Sequence, residues 1–313
     1  MFCRISASAL SAAGTLAVAG LALAACGSDS LAGSPDTSAG SSSTSSAPTP
    51  AAPATDASLR AMLPQSVQDT GILRVGTDAS YAPNEFLDGD TIKGMEVDLL
   101  NAVAVKLGVQ VNYTDANFDS LIPGVNGNSY DVALSSFSIT KDRLAQVNMV
   151  QYYNAGTQWV TKKGNPDGID PDFDDCGKTV AVQSNTTQSD DDLPPRSKTC
   201  TDAGKPAVNV LAFDVQRDAT AAVVQGRAVA MLADSPISAY AVKQTGDQLQ
   251  LTGDIYNAAP YGMVVAKDQT SEAEAISKAL ALIAADGSYK AALDNWGGAA
   301  GAVTVFPVNP TVS

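Results

Sequence analysis

From about residue 58 onward, short apolar runs of strand length alternate with amphipathic segments of helix length. Met95 and Leu99 begin a row of apolar residues with helical i, i+4 spacing that continues to Leu107, and Gly108 behind it is a natural helix stop. Strands and helices in alternation predict a parallel sheet with right-handed crossovers. The elements predicted in this first half are strands at 71–77, 108–114 and 131–136 and helices at 94–108 and 118–125.

The same alternation begins again after residue 164. Segments 157–162 and 261–267 are strand-like and separate one run of alternating elements from the other, so we expect them to cross between two α/β lobes. The predicted lobes are residues 58–158 plus 261–313 and residues 159–260. The predicted elements here are strands at 178–183, 228–234 and 261–268 and helices at 214–226, 235–244, 271–286 and 288–296.

The stretch from Val132 to Arg143 joins an apolar strand to a helix through a run of hydroxyl groups. Thr140 is the expected N-cap, which places Arg143 at the third helical position, where the helix dipole disfavours a cation. A guanidinium beside hydroxyls and free helix N–H groups is a good receptor for a carboxylate. The alternative is an ordinary solvated arginine on the surface.

Polar side chains follow the strands at their carboxyl ends, where open parallel sheets bind ligands. They would form a receptor for a small zwitterion: Arg143 for its carboxylate, Asp234 for its ammonium, and Tyr81 with Phe118 on its side chain. Plainer roles remain open, since Asp78, Asp234 and the two threonines are also typical caps and Phe118 is a typical core residue. The candidate ligand-binding residues are Asp78, Tyr81, Phe118, Ser135, Ser136, Ser138, Arg143, Gln183, Thr186, Thr187, Gln188 and Asp234.

The amino terminus has the pattern of an export signal. Residues 1–25 carry Arg4, no acidic residue and an apolar run with a small-residue exit, which is typical of a secretory signal peptide. The sequence LAAC ending at Cys26 resembles a bacterial lipobox, in which Cys26 would be lipidated; an ordinary signal is the alternative. Residues 26–57 are almost entirely small and polar, which predicts a flexible tether. We therefore expect an extracytoplasmic domain anchored at the outer face of the cell membrane.

Composition excludes several classes of function. Cys3 would be removed with the signal and Cys26 would be lipidated, so Cys176 and Cys200 remain. In an oxidising compartment we expect this pair to form a disulfide. The chain has no histidine, which removes histidine-dependent triads and general bases, and two cysteines alone do not make a metal site. We expect neither a cofactor nor a metal. A net charge of −14 argues against nucleic acid as a partner.

Six motifs, in this order, resemble the family 3 solute-binding proteins of amino-acid ABC transporters: GTDASYAP, NFDSLIPGV, YDVALSSFSITKDR, VAVQSNTTQ, MLADSPISAY and APYGMVVAK. The resemblance covers about residues 59–297. It implies a two-lobed, type II periplasmic-binding-protein-like α/β fold, with a mostly parallel sheet in each lobe and two crossover segments, that closes around an amino acid. It also implies a lipoprotein, not an enzyme, that delivers the amino acid to a membrane permease. Because the sequence gives no sign of oligomerisation, we expect a monomer.

The resemblance also implies roles for single residues. Arg143 with Ser138 or Thr187 matches the α-carboxylate site, and Asp234 matches the acid that takes the α-ammonium. Three positions depart from the family pattern: Asn84 stands where an aromatic residue often follows Ala-Pro, Asn185 stands where glycine is usual, and Gln183 is neither lysine nor an apolar residue. These departures leave the ligand's side chain open, although Asp78 with the aromatic pair favours Arg, Lys or Gln. The positions that match the side-chain pocket are Asp78, Tyr81, Phe118, Ser135 and Ser136, and Gln183 falls where relatives vary with specificity.

Other functions compete with this interpretation. The same site could hold another zwitterionic solute such as ectoine, or serve a separate membrane receptor as a ligand sensor. An enzyme is the alternative from a different class, because some proteins of this fold are dehydratases or cleave peptidoglycan. Glu85 would then be the candidate general acid, although the sequence places it near the cleft mouth with no partner at recognisable spacing.

Overall fold

The computed structural model describes residues 55–171 and 175–312. The predicted signal peptide, Cys26 and nearly all of the predicted tether lie outside the described residues. The Asp56 carboxylate accepts a hydrogen bond from the Ser58 N–H and caps a short helix that begins at Ala57, the last residue assigned to the tether. Within the described ranges, no helix combines the length and the apolar character that crossing a bilayer requires.

Two sheets contain the described strands. The larger has eight strands in the order β5-β1-β6-β11-β7-β10-β8-β9, and the smaller has the order β2-β3-β4. The strands are β1 Ile72–Thr77, β2 Ser80–Tyr81, β3 Glu85–Asp88, β4 Thr91–Lys93, β5 Gln110–Asp115, β6 Val132–Ala133, β7 Val147–Lys162, β8 Thr179–Gln183, β9 Asn209–Phe213, β10 Ala230–Asp234 and β11 Leu249–Ala266.

Helices connect the strands and cover both faces of the large sheet. Their positions follow the alternation predicted from the sequence, with three additions: α1 and α2, which precede the first strand, and α6, which lies in a polar, proline-containing segment. The helices are α1 Ala57–Arg60, α2 Gln65–Thr70, α3 Met95–Leu107, α4 Phe118–Asn126, α5 Lys141–Gln146, α6 Leu193–Asp202, α7 Gln216–Val224, α8 Ser235–Gln244, α9 Thr270–Ala285 and α10 Ser288–Asn295.

The large sheet contains two parallel sets of strands joined by an antiparallel pair. β1 runs parallel to β5 and β6, and β8 runs parallel to β9 and β10. Between the two sets, β7 and β11 pair antiparallel along most of their length. The α/β class with a mostly parallel arrangement is therefore confirmed, whereas the division into two lobes stays a prediction.

The two crossing segments are much longer strands than the sequence predicts. β7 extends over 16 residues and β11 over 18, and the register between them shifts three times, first between Thr252 and Tyr256. The third predicted strand, 131–136, is shorter than expected, because β6 ends at Ala133. Ser136 adopts a left-handed backbone with φ of 50°, which ends the extended conformation.

Apolar packing fixes α3 against the large sheet. Met95, Leu99, Val103 and Leu107 are all buried, as the spacing predicts, and burial of each such side chain contributes roughly 1.5 to 3 kcal/mol. Gly94 precedes the helix with φ of 143°, and a Cβ there would lie 2.0 Å from the Asn84 carbonyl oxygen. Only glycine permits this close approach. The start of α3 therefore packs directly on the Asn84 backbone.

The predicted disulfide between Cys176 and Cys200 is present. It joins the segment before β8 to α6. On the same helix, Arg196 donates to Asp192 (2.8 Å) and lies over the rings of Trp159 and Tyr256 at 5.3 and 5.2 Å. These contacts fix α6 and the π-helical turn Gln188–Asp192 that leads into it.

Glu272 is a buried acid in the first turn of α9, away from the strand ends that form the candidate site. Neither of its carboxylate oxygens has a hydrogen-bond partner among the described residues. A nearby cation, Arg74, forms its ion pair with Asp131 (2.6 Å) and not with Glu272. Burial, together with the charge of Asp131, raises the pKa of Glu272 to about 8. The folded chain therefore keeps this proton at neutral pH.

Glu272→Gln is expected to stabilise the protein at pH 8 relative to pH 5. Between the ordinary pKa of 4.5 and the folded value, the unfolded chain releases the proton while the folded chain keeps it, so parent stability falls as pH rises. Removing the acid should make the difference in unfolding free energy, variant minus parent, larger at pH 8 by on the order of 2 to 4 kcal/mol. Urea unfolding at both pH values measures it. Glu274→Gln, an exposed acid on the same helix, is the control, and parallel pH profiles for parent and Glu272→Gln would contradict the expectation.

Candidate functional site

All twelve candidate ligand-binding residues line one cavity. The cavity lies where β1, β6, β8 and β10 end, as the rule for parallel sheets predicts. The sequence therefore identifies residues that meet in space although they lie up to 156 positions apart along the chain. Their role in binding stays a prediction. The lining residues are Asp78, Tyr81, Phe118, Ser135, Ser136, Ser138, Arg143, Gln183, Thr186, Thr187, Gln188 and Asp234.

Arg143 is held rigidly at the start of α5. The backbone N–H of Arg143 donates to the hydroxyl of Thr140, the predicted N-cap. Its guanidinium lies over the rings of Phe118 and Phe137 at 5.4 and 5.3 Å. It donates to the carbonyl oxygens of Ser138 (2.9 Å) and Asn185 (3.2 Å). Arg143 is therefore a packed wall residue of the cavity rather than a solvated surface arginine.

No described carboxylate forms a salt bridge with Arg143, so its charge is not neutralised by a direct partner. Burial lowers the pKa of Arg143, and the negative charge of Asp234 opposes this effect. Guanidinium has five N–H donors, of which the two carbonyl contacts use two. The remaining donors can bind an anion in the cavity.

Asp234 ends β10 and occupies the N-cap position of α8, but its side chain makes no capping hydrogen bond. Its carboxylate instead accepts from the Tyr81 hydroxyl (2.8 Å) and the Gln188 amide (2.9 Å). Burial raises the pKa of Asp234, and these two donors partly oppose that rise. The side chain serves the cavity rather than the helix.

Asp78 ends β1 and has both of the roles left open by the sequence. One of its carboxylate oxygens accepts from the Ser80 N–H (3.2 Å), as in a turn cap, and the other accepts from the Gln183 amide (2.6 Å). The Asp78 N–H donates to the Ser135 hydroxyl (3.1 Å). Burial raises the pKa of Asp78, and the hydrogen bonds from Ser80 and Gln183 oppose the rise.

The remaining lining residues show mixed roles. Thr186 caps the turn after β8, because its hydroxyl accepts from the Ser189 N–H (3.3 Å). Phe118 stacks on Phe137 with ring centroids 4.5 Å apart, so it belongs to the core as well as to the cavity wall. Sequence reasoning missed Phe137, although its position between Ser136 and Ser138 was a usable signal. It also missed Thr157, which accepts from Gln188 (3.1 Å).

The departures from the family pattern have local explanations at two positions. Asn185 has φ of 61°, a left-handed conformation that glycine adopts most easily and that asparagine tolerates. Asn84 is fully buried and its amide donates to the Ser136 hydroxyl (2.8 Å), so it supports the serine loop instead of presenting an aromatic ring.

The expectation for Glu85 is wrong in both respects. Glu85 does not lie near the mouth of the cleft, because it is completely buried behind Ser135, and it has a partner, Glu96 in the first turn of α3. Sequence periodicity could not show this, because the contact depends on Gly94 bringing the helix start against Asn84.

Among the described residues, the one grouping with metal-ligand geometry is Asp175 with Cys176 and Cys200, and its two sulfur atoms are bonded to each other.

Comparison with known proteins gives a consistent result. Residues 73–299 match the family described as bacterial extracellular solute-binding proteins, family 3. The arginine-binding protein ArgT of Corynebacterium glutamicum is 33% identical over 242 residues, which cover 76% of this chain and 78% of ArgT.

Solved structures are similar as well. The structure of an ancestral arginine-binding protein bound to glutamine has a TM-score of 0.66 and 33% identity, covering 73% of this chain and 98% of that protein. The ancestral amino acid-binding protein AncCDT-1, a precursor of cyclohexadienyl dehydratase, has a TM-score of 0.64 and 30% identity, covering 74% and 97%.

Tyr81→Phe is expected to raise the pKa of Asp234 further, because it removes a hydrogen bond donated to the carboxylate. Losing one hydrogen bond to the ionised form favours the protonated carboxyl, so the midpoint of the titration should move to higher pH. An NMR pH titration of the Asp234 carboxyl carbon, assigned with Asp234→Asn, measures it. Tyr113→Phe, whose hydroxyl contacts Val97 and Asn101 instead, is the matched control. An unchanged titration midpoint in Tyr81→Phe would refute the assignment of this donor.

Proposed function

Because the chain belongs to the bacterial extracellular solute-binding proteins, family 3, we propose that it binds a polar amino acid in this cavity and delivers it to the permease of an ABC importer. In this proposal the protein acts as a monomer, exported by residues 1–25 and anchored through a lipid on Cys26. It holds no cofactor and catalyses no reaction.

The observation that carries the proposal is the charge arrangement in the cavity. Arg143 presents guanidinium donors without a described carboxylate partner, and Asp234 and Asp78 present carboxylates whose described partners are neutral. An α-amino acid has the complementary charges, with its carboxylate for Arg143 and its ammonium for Asp234. Ser138 or Thr187 would complete the carboxylate site. Binding would then pair charges that the fold alone leaves buried and unpaired.

The wall around Asp78 favours a long side chain that donates hydrogen bonds. Ser135 and Ser136 lie on this side with Asp78, and Tyr81 and Phe118 supply aromatic surface. With two carboxylates against one guanidinium, a cationic ligand balances the cavity better than an anionic one. Arg, Lys and Gln are therefore the favoured ligands, which agrees with the names of the arginine-binding relative and of the glutamine-bound ancestral structure.

Closure of two lobes is part of the proposal. Hydrogen bonds join residues of the two predicted lobes around the cavity: Tyr81 to Asp234, Gln183 to Asp78, and Arg143 to Asn185. The register shifts between β7 and β11, from Thr252 to Ala259, provide irregular pairing at which the strands can bend. We propose that these segments are the hinge.

Two other functions are less well supported. Another zwitterion, such as ectoine, would pair its charges with Arg143 and Asp234 but would leave the hydrogen-bonding groups around Asp78 unused. For a dehydratase, the general acid that the sequence suggests, Glu85, does not line the cavity. Because the similar protein AncCDT-1 is a precursor of a dehydratase, the enzyme alternative is tested by measuring whether a bound compound is converted to product. Turnover would refute the proposal.

Thermal unfolding of the full-length protein with each of the twenty amino acids, ectoine and related betaines tests the proposal. A ligand that binds only the folded state raises the melting temperature by mass action. We expect the largest increase with arginine, lysine or glutamine. A flat response to all amino acids, with or without an increase for a betaine, would refute amino-acid binding.

Arg143→Met is expected to weaken binding of the ligand found in this screen by about 100-fold or more, because the buried carboxylate of the ligand loses its only guanidinium partner. The melting temperature without ligand should stay the same or rise, since the variant removes a partly buried charge that has no ion-pair partner among the described residues. Isothermal titration calorimetry measures the affinity. Lys141→Met, an exposed cation on the same helix, is the control, and unchanged affinity in Arg143→Met would show that the carboxylate binds elsewhere.

A further inference from the structure

Two fully buried acids lie directly behind the serines of the cavity wall. The Ser135 hydroxyl donates to a carboxylate oxygen of Glu85 (2.9 Å), and the Ser136 hydroxyl donates to Oε1 of Glu96 (2.7 Å). Oε1 of Glu96 also accepts from the Tyr152 hydroxyl (2.5 Å), and Oε2 accepts from the Ser136 N–H (3.1 Å). Neither acid lines the cavity itself. Both therefore reach a ligand only through the serines.

The two acids must share a proton. No described lysine or arginine forms an ion pair with either of them, and one hydroxyl, that of Ser136, contacts a carboxylate oxygen of each acid, at 2.7 Å for Glu96 and 3.4 Å for Glu85. Two buried carboxylates this close together cannot both be ionised without a cation. Among the described residues, Glu96 accepts from three donors at short range, the N–H and hydroxyl of Ser136 and the Tyr152 hydroxyl, whereas Glu85 accepts one short hydrogen bond, from Ser135, and one long one, from Ser136. The arrangement places the shared proton on Glu85 and the negative charge on Glu96.

This charge fixes the direction of the serine hydroxyl groups. A serine hydroxyl has one proton and two lone pairs. The protons of both serines point to the acids, and one lone pair of each is taken, on Ser135 by the Asp78 N–H and on Ser136 by the Asn84 amide. The lone pair that remains on each oxygen can accept a hydrogen bond from a ligand. Neither serine has a proton left to donate.

We propose that Glu85 and Glu96 are positioning residues that hold Ser135 and Ser136 as hydrogen-bond acceptors, so that the cavity selects a ligand side chain ending in N–H donors. This inference rests on the proposed function and names its ligand class: a cationic guanidinium or ammonium. A guanidinium has donors only, and an ammonium likewise. A carbonyl oxygen in the same place would meet the serine lone pairs without a hydrogen bond.

Arginine and citrulline test this difference, because the two are nearly isosteric and citrulline carries a carbonyl oxygen in place of one guanidinium nitrogen. We expect the parent protein to bind arginine at least about 100-fold more tightly than citrulline, as for a site built around a particular set of hydrogen bonds.

Glu96→Gln changes the polarity behind Ser136 at almost constant shape. The new side chain must present its oxygen to the Ser136 N–H, which can only donate, and its NH₂ group then faces the Ser136 hydroxyl. The Ser136 proton therefore loses its acceptor on residue 96. We expect the ratio of arginine affinity to citrulline affinity, measured by isothermal titration calorimetry on the full-length protein, to fall about tenfold or more.

A double-mutant cycle separates positioning from a structural role. In a Ser136→Ala background, Glu96→Gln should change the ratio by less than about threefold, because the hydroxyl through which it acts is gone. Glu272→Gln, another buried acid away from the cavity, should leave the ratio unchanged. Thermal unfolding of each variant checks folding. If Glu96→Gln does not fold, Ser136→Ala alone tests the inference, because loss of the acceptor should lower the arginine-to-citrulline ratio.

Three results would overturn the inference. An equal loss of both affinities in Glu96→Gln would show that the acid only supports the structure, and so would an effect that persists in the Ser136→Ala background. A parent protein that binds glutamate or citrulline as tightly as arginine would refute the acceptor wall while leaving amino-acid binding intact. A parent that binds no amino acid at all would overturn the proposed function itself.

Discussion

Buried charge without an internal ion pair is the constraint on which this structure depends. Arg143, Asp78 and Asp234 lie around one cavity, and their described partners are neutral hydroxyl, amide and carbonyl groups. Unpaired buried charge is unfavourable for folding. The surrounding fold offsets this cost with rigid elements: the ends of four strands, the aromatic pair around the guanidinium, and the disulfide-linked helix next to Gln188.

The charge arrangement extends beyond the cavity wall. Glu96 is buried behind Ser136 at the start of α3, and Gly94 permits the helix to approach closely enough for this contact. Asn84 connects Glu96 to Ser136. The Asn84 carbonyl oxygen accepts from the Glu96 N–H, and the Asn84 side-chain amide donates to the Ser136 hydroxyl. A few backbone constraints therefore determine the direction of hydrogen bonds several residues away in the cavity.

The sequence predicts much of the fold and all twelve wall residues, because both follow from local patterns. Helical spacing identifies α3, and strand ends identify Asp78 and Asp234. The length of β11 is hidden, because its first part contains Gly253 and Pro260 and is largely exposed, so it shows no alternation of apolar residues. The role of Glu96 is hidden for another reason: an acid in the first turn of a helix looks ordinary until tertiary packing buries it.

The aromatic contacts of Arg143 have a kinetic consequence. A long cationic side chain normally loses rotamer freedom when it binds an anion, and this loss weakens the complex. Here Phe118, Phe137 and the Ser138 carbonyl already restrict the guanidinium to one plane. The ordering is completed during folding rather than during the encounter. An anion that reaches the cavity meets a preorganised receptor, and differences in affinity among ligands that share this anion would appear mainly as differences in residence time.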